Sequence, residues 1–183
     1  MKLIFIRHGQ TNYNLKDLCN SLPNPKVRLT PLGQKQVKAA ALKLKKEKID
    51  VIFISELYRT RQTARAINAY HHAPYLVDGR LNDRNIGFEG RPSTLYYEWV
   101  AKRKDRWNSV PRGGETYEQM KKRFASFIKD LAKKDYKTVL IVTHLPILKV
   151  ARGYFKKLSN AQMDSLTPKQ VPNCKIMKFT LKK

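Results

Sequence analysis

Three apolar runs constrain this chain more than any other feature: Leu3-Ile4-Phe5-Ile6, Ile49-Asp50-Val51-Ile52-Phe53-Ile54-Ser55 and Thr138-Val139-Leu140-Ile141-Val142-Thr143. Each is short and dominated by β-branched residues. Apolar side chains follow one another instead of alternating with polar ones, which marks strands buried on both faces. Helical spacing fills the intervals between them. Strands alternating with helices predict an α/β fold with three layers: a mainly parallel central sheet and helices on both faces.

The intervening segments carry helix signals. Thr30-Pro31 places an N-cap before a proline at the first helical position. Leu32, Val37, Ala40, Ala41, Leu44 and Ile49 follow in rough helical spacing with lysines between. Residues from about Leu57 to Tyr70 form the next predicted helix, and Tyr75-Leu76-Val77 a short strand before Asp78-Gly79. Residues 83–93 read as a loop. Tyr96, Trp99, Val100 and Trp107 suggest a short helix packing aromatics beside it. Thr116 and Gln119 form a capping box for a helix reaching about Lys133. A helix is expected after Pro146, and Lys175 to Leu181 alternates like a late edge strand. No repeat or linker divides the chain, so residues 1–183 are expected to form one domain.

Bulk properties exclude some classes. With 183 residues and 42% hydrophobic content, the chain can bury a full core. No stretch approaches the ~18 consecutive apolar residues that span a bilayer. The start lacks a secretory layout, so the reading is a cytoplasmic protein with no membrane partner. Cys19 and Cys174 read as free thiols, and no Cys/His cluster has metal-ligand spacing. His71-His72 read as surface residues. Lys+Arg number 38 against 14 Asp+Glu, a formal charge of +24. Such a field attracts anions. The cations are dispersed, however, and read as a solvated surface more than as a nucleic-acid groove.

The chemistry lies at the strand ends. The first run delivers Arg7-His8-Gly9, the second leads through Ser55 to Arg59, and the third ends at His144. Parallel strands share a direction, so their carboxyl ends share one edge, where such folds bind ligands. Two histidines and two arginines converge there. Arginine offers phosphate a planar, bidentate fork. Histidine is a nucleophile and proton carrier near neutral pH. The expected chemistry is phosphoryl transfer through histidine.

Six blocks in order resemble the histidine phosphatase superfamily, in its phosphoglycerate-mutase-like branch. They are Arg7-His8-Gly9-Gln10-Thr11 with Asn14, Leu29 to Gln34, Ser55 to Ala64, Leu81 to Gly90, Gly113-Gly114-Glu115-Thr116 and Val142-Thr143-His144. The resemblance implies a phosphoglycerate-mutase-like fold and a phosphohistidine on His8. It implies that Arg7, Arg59, His144 and Asn14 hold the phosphoryl oxygens, that Asp83 is the general acid, and that neither metal nor cofactor takes part. Glu89 is the nearby alternative acid.

Two departures stand out. The family often has Glu where this chain has Asp83. It often has Gly after the second histidine, where this chain has Leu145-Pro146; the Leu145 amide can still donate to phosphate, but Pro146 cannot.

The segment between Gly90 and Gly113 is short for a mutase. That favours a small phosphatase acting on a small phosphorylated substrate. Tyr96, Tyr97, Trp99, Lys102, Arg103 and Trp107 either shape its pocket or pack the segment onto the core. The extra cations among them would suit a polyanionic substrate. A mutase is the alternative within enzymes. A non-catalytic anion- or nucleic-acid-binding module is the alternative outside them. The oligomeric state is left open, and Cys19 is either a redox sensor or a plain loop thiol.

Overall fold

The computed structural model describes residues 1–182. Its sheet has five strands: β1 (Lys2–Arg7), β2 (Val51–Ile54), β3 (Tyr75–Val77), β4 (Thr138–Thr143) and β5 (Ile176–Thr180). They lie in the order β3-β2-β4-β1-β5. β1 to β4 pair in parallel, and β5 closes the edge antiparallel to β1. The three apolar runs therefore sit side by side in the middle, as their composition requires.

Successive residues of these strands feed opposite cores. Leu3, Phe5, Val139 and Ile141 face α5 (Tyr117–Ala132) and α6 (Leu145–Lys156), meeting Phe124, Phe127 and Leu148. Ile4, Ile6, Leu140 and Val142 face α2 (Pro31–Leu44) and α3 (Tyr58–Asn68), meeting Val37, Ala41, Leu44 and Ile67. Burying a side chain of this size contributes about 1.5–3 kcal/mol each.

Several boundaries differ from the sequence reading. α2 opens at Thr30, whose hydroxyl accepts from the Gly33 amide, but it stops at Leu44, so Ile49 belongs to the connection before β2. Leu32 lies on its exposed face. The helix expected to include Trp107 ends earlier, as α4 (Ser93–Ala101). Trp107 instead stacks on Tyr117 at 4.1 Å and donates from Nε1 to Glu118. That places it in the core-packing role. Two short helices carry no apolar periodicity: α1 (Asn12–Leu15) and α7 (Asn160–Asp164). Both are made by capping boxes instead. His71 and His72 lie past the end of α3; His71 is half-buried and His72 exposed. No described helix is long and apolar enough to cross a membrane.

Candidate active site

β1 and β4 run in register, with Arg7 opposite Thr143. The next residues of both strands are His8 and His144, so pairing alone brings the two imidazoles together. Their ring centroids are 5.2 Å apart, and both side chains are buried. The His8 amide continues the ladder, donating to the Thr143 carbonyl at 2.9 Å.

Each ring has its tautomer set by a neighbour. His8 Nδ1 lies 2.8 Å from the Gly9 carbonyl oxygen, which can only accept. Nδ1 therefore carries the proton, and Nε2 keeps a lone pair. His144 Nδ1 lies 3.1 Å from the Arg59 Nη2, which can only donate. Its Nε2–H accordingly donates to Ser55 Oγ at 2.8 Å. Burial first, then Arg59 among the neighbouring cations, holds both histidines well below the ordinary imidazole range. Both are neutral near pH 7.

α3 supplies the cation. Arg59 is buried and its Nη2 donates to Asp83 Oδ2 at 2.8 Å. Four residues on, Thr63 accepts from the Gly9 amide at 3.1 Å and donates to the Arg59 carbonyl at 2.8 Å. One helix face thus ties Arg59 to the loop that follows His8. Gly9 itself is required there: a Cβ would lie 2.6 Å from Val37 Cγ2 and 2.9 Å from the Gly33 carbonyl. Arg7 turns its Nη1 to the Val171 carbonyl at 2.7 Å. The Nε–H groups of Arg7 and Arg59 are buried without a partner among the described residues. Unpaired buried donors are costly, so both guanidinia retain hydrogen-bonding capacity for an oxyanion.

Asp83 arrives on a loop. Its Oδ1 accepts from the Arg84 amide at 2.9 Å, and its Oδ2 lies 3.6 Å from His144 Nδ1. Burial raises its pKa and outweighs the opposing pull of Arg59 and Arg7. Sequence alone leaves that sign open. A cavity of about 420 Å³ opens beside it, lined by Ser21, Leu22, Asn82, Asp83, Asn85 and Arg123 among others. Glu89, the alternative acid, is otherwise engaged. Its two oxygens accept from Asn20 Nδ2, the Ser21 amide and hydroxyl, and the Leu22 amide.

The remaining sequence candidates are placed less centrally. Asn14 is exposed, and its Oδ1 accepts from the Thr11 amide in the α1 capping box. Leu145 is the first residue of α6, where backbone amides lack intrahelical partners. Arg103 stacks on Trp99 at 4.4 Å, and both it and Lys102 are exposed away from the cavity beside Asp83. Cys19 is buried, and desolvation pushes its thiol up to about 11, against the low pKa a redox sensor needs. Among the described residues, no group of His, Cys, Asp or Glu could hold a metal ion.

Three contributors escape the sequence reading. Arg123 of α5 donates to the carbonyls of Arg80 and Asn82, just ahead of Asp83, and pairs with Glu115. It stands in Lys121-Lys122-Arg123, a run with nothing to separate it from surface charge. Asn173 donates to the His8 carbonyl at 2.9 Å, and Asn20 contacts Arg59. Both lie in loops without a pattern.

A family model described as histidine phosphatase superfamily, branch 1, matches residues 3–183. The 2,3-bisphosphoglycerate-dependent phosphoglycerate mutase of Cytophaga hutchinsonii is 30% identical over 168 residues, covering 86% of this chain and 78% of that one. The adenosylcobalamin/alpha-ribazole phosphatase of Salmonella typhimurium is 31% identical over 159 residues, covering 81% and 76%. Among solved structures, mycobacterial glucosyl-3-phosphoglycerate phosphatase superposes with a TM-score of 0.80 at 24% identity, over 98% of this chain and 90% of that one. That last likeness concerns the fold.

Proposed function

The chain belongs to branch 1 of the histidine phosphatase superfamily, and from that premise we propose that it hydrolyses small phosphomonoesters through a phosphohistidine on His8. The carrying observation is the state of His8. Its Nδ1 proton rests on the Gly9 carbonyl, its Nε2 lone pair meets no partner among the described residues, and burial with Arg59 holds the ring well below the ordinary imidazole range. A nucleophile needs that lone pair aimed and unprotonated.

In the first half-reaction Nε2 attacks phosphorus. The P–O bond to the leaving group breaks, and the electron pair departs on that oxygen. Asp83 is kept protonated more readily by burial, and delivers its proton to that oxygen. In the second half-reaction the same carboxylate takes a proton from water, which displaces the imidazole and releases inorganic phosphate. Arg59 and Arg7 offset the charge spread over the equatorial oxygens. His144 is neutral in the free site, and it joins them as a hydrogen-bond donor once its Nε2–H turns from Ser55 Oγ to a phosphoryl oxygen. Asn14 and the Leu145 amide add neutral donors. The short segment 91–112 leaves little structure to shield the phosphoenzyme from water, which favours hydrolysis over mutase transfer.

The test is hydrolysis of a panel of aryl, sugar, glycerate, nucleotide and amino-acid phosphates, with chelator present, by wild type and His8→Ala. Wild type is expected to turn over at least one member and to trap an acid-labile phosphoprotein. The variant is expected to do neither. Equal activity in both proteins would overturn the mechanism.

A further inference from the structure

Asn20 meets Arg59 in a way that an oxyanion would. Its side-chain Oδ1 accepts from Arg59 Nη1, and its main-chain oxygen accepts from Arg59 Nη2 at 3.0 Å. The two oxygens sit on the two terminal nitrogens, the end-on fork that guanidinium presents to phosphate. Asp83 Oδ2 takes a further Nη2 contact. Arg59 Nε, the remaining nitrogen, is buried without a partner among the described residues and lies off the end-on fork. A phosphate binding Arg59 end-on must therefore replace Asn20.

Asn20 is held in place from behind. Its Nδ2 donates to Glu89 Oε1 at 2.6 Å and to the Leu22 carbonyl at 2.9 Å. Glu89 Oε2 gathers the Ser21 amide at 2.7 Å and the Ser21 hydroxyl at 3.1 Å. The clamp ties the loop at 20–22 to the loop that bears Asp83. His8, behind this arrangement, is only 3% exposed.

We propose that Asn20 is a specificity-determining residue: a neutral internal competitor for the phosphate fork of Arg59, pressed onto it by Glu89. This rests on the reading of Arg59 as a phosphate ligand. A neutral amide oxygen makes a weaker bond to guanidinium than a charged oxyanion does. The fork thus yields to a phosphate dianion and holds against neutral or weakly basic ligands. The exchange also weakens retention of inorganic phosphate, the product.

Calorimetric titration with inorganic phosphate tests the idea on wild type, Asn20→Gly, Glu89→Gln and Arg59→Met. Asn20→Gly is expected to bind phosphate about tenfold more tightly than wild type. Glu89→Gln keeps Asn20 but loosens its clamp, and is expected to fall between the two. Unchanged or weaker binding by Asn20→Gly, with Arg59→Met impaired, would overturn the competitor and leave the site reading standing. Equal phosphate binding by wild type and Arg59→Met, or none by any of the four proteins, would overturn the site reading itself.

Discussion

The two halves of the candidate site are held by different means. His8 and His144 extend from adjacent strands, and their separation follows from backbone register. Asp83 instead lies on a connection with no ladder to place it. Its position depends on side chains reaching in from elsewhere. Arg123 grips the carbonyls of Arg80 and Asn82 just ahead of it, Asn82 bonds to Glu56 through both ends of its amide, and Arg84 packs on Tyr117. The strand half is stiff because many cooperative hydrogen bonds would have to break together to move it. The loop half is as firm as a few individual contacts, each of which can be removed singly. The proposed nucleophile, His8, therefore sits on the part least able to deform, and the proposed proton donor, Asp83, on the part most easily retuned.

Asp83→Asn makes the largest difference between the halves. It is expected to lower kcat by about 10²–10³-fold, in the range for loss of a general acid, while His8 still forms the phosphoprotein from an activated aryl ester. The pH profile sharpens the comparison. In wild type, kcat/KM should fall as pH rises through the pKa of Asp83, which burial has raised, because the acid must enter protonated. It should also fall toward acid as His8 protonates, well below the ordinary imidazole range. Asp83→Asn removes the alkaline limb alone. An alkaline limb that survived would break the assignment of Asp83.

Arg123→Met tests whether the loop half rests on its clasps. The side-chain methylenes are largely retained and the donors are lost. The expected cost is about tenfold in kcat, with phosphate affinity little changed and an altered alkaline pKa. A drop equal to that of Asp83→Asn would show that the loop has no support besides Arg123. No drop at all would show that Asn82 and Glu56 suffice.

The smallest effect is expected from Lys102→Ala with Arg103→Ala. Both side chains are exposed on the far end of α4, and Arg103 lies against Trp99. The ratio of activity on bisphosphates to that on monophosphates should stay unchanged in the panel assay. A shift in that ratio would extend the loop half of the site along α4.

The chemical identity of the strand half is legible in the sequence. Continuous apolar runs admit few arrangements besides central parallel strands, and parallel strands must send Arg7-His8 and His144 to one edge. Family resemblance names Asp83. The loop half is legible only as a set of residues without positions. Glu89 and Asp83 are both carboxylates on one connection, and only the fold shows one held by four donors and the other against Arg59 and His144. Likewise Arg123 looks like its lysine neighbours. Trp107 has the spacing of a helix residue, yet in the fold it leaves the helix to stack on Tyr117.

Local patterning determined the central strands, the order of the longer helices α2 to α6 and the residues at the strand ends, because these follow from which side chains must leave water. Tertiary structure alone decided the upward direction of the Asp83 pKa, the tautomers of both histidines and the occupation of Arg59 by Asn20. Those properties depend on burial and on partners distant in the chain. A field or a desolvation penalty exists only once the chain has closed around the group that feels it.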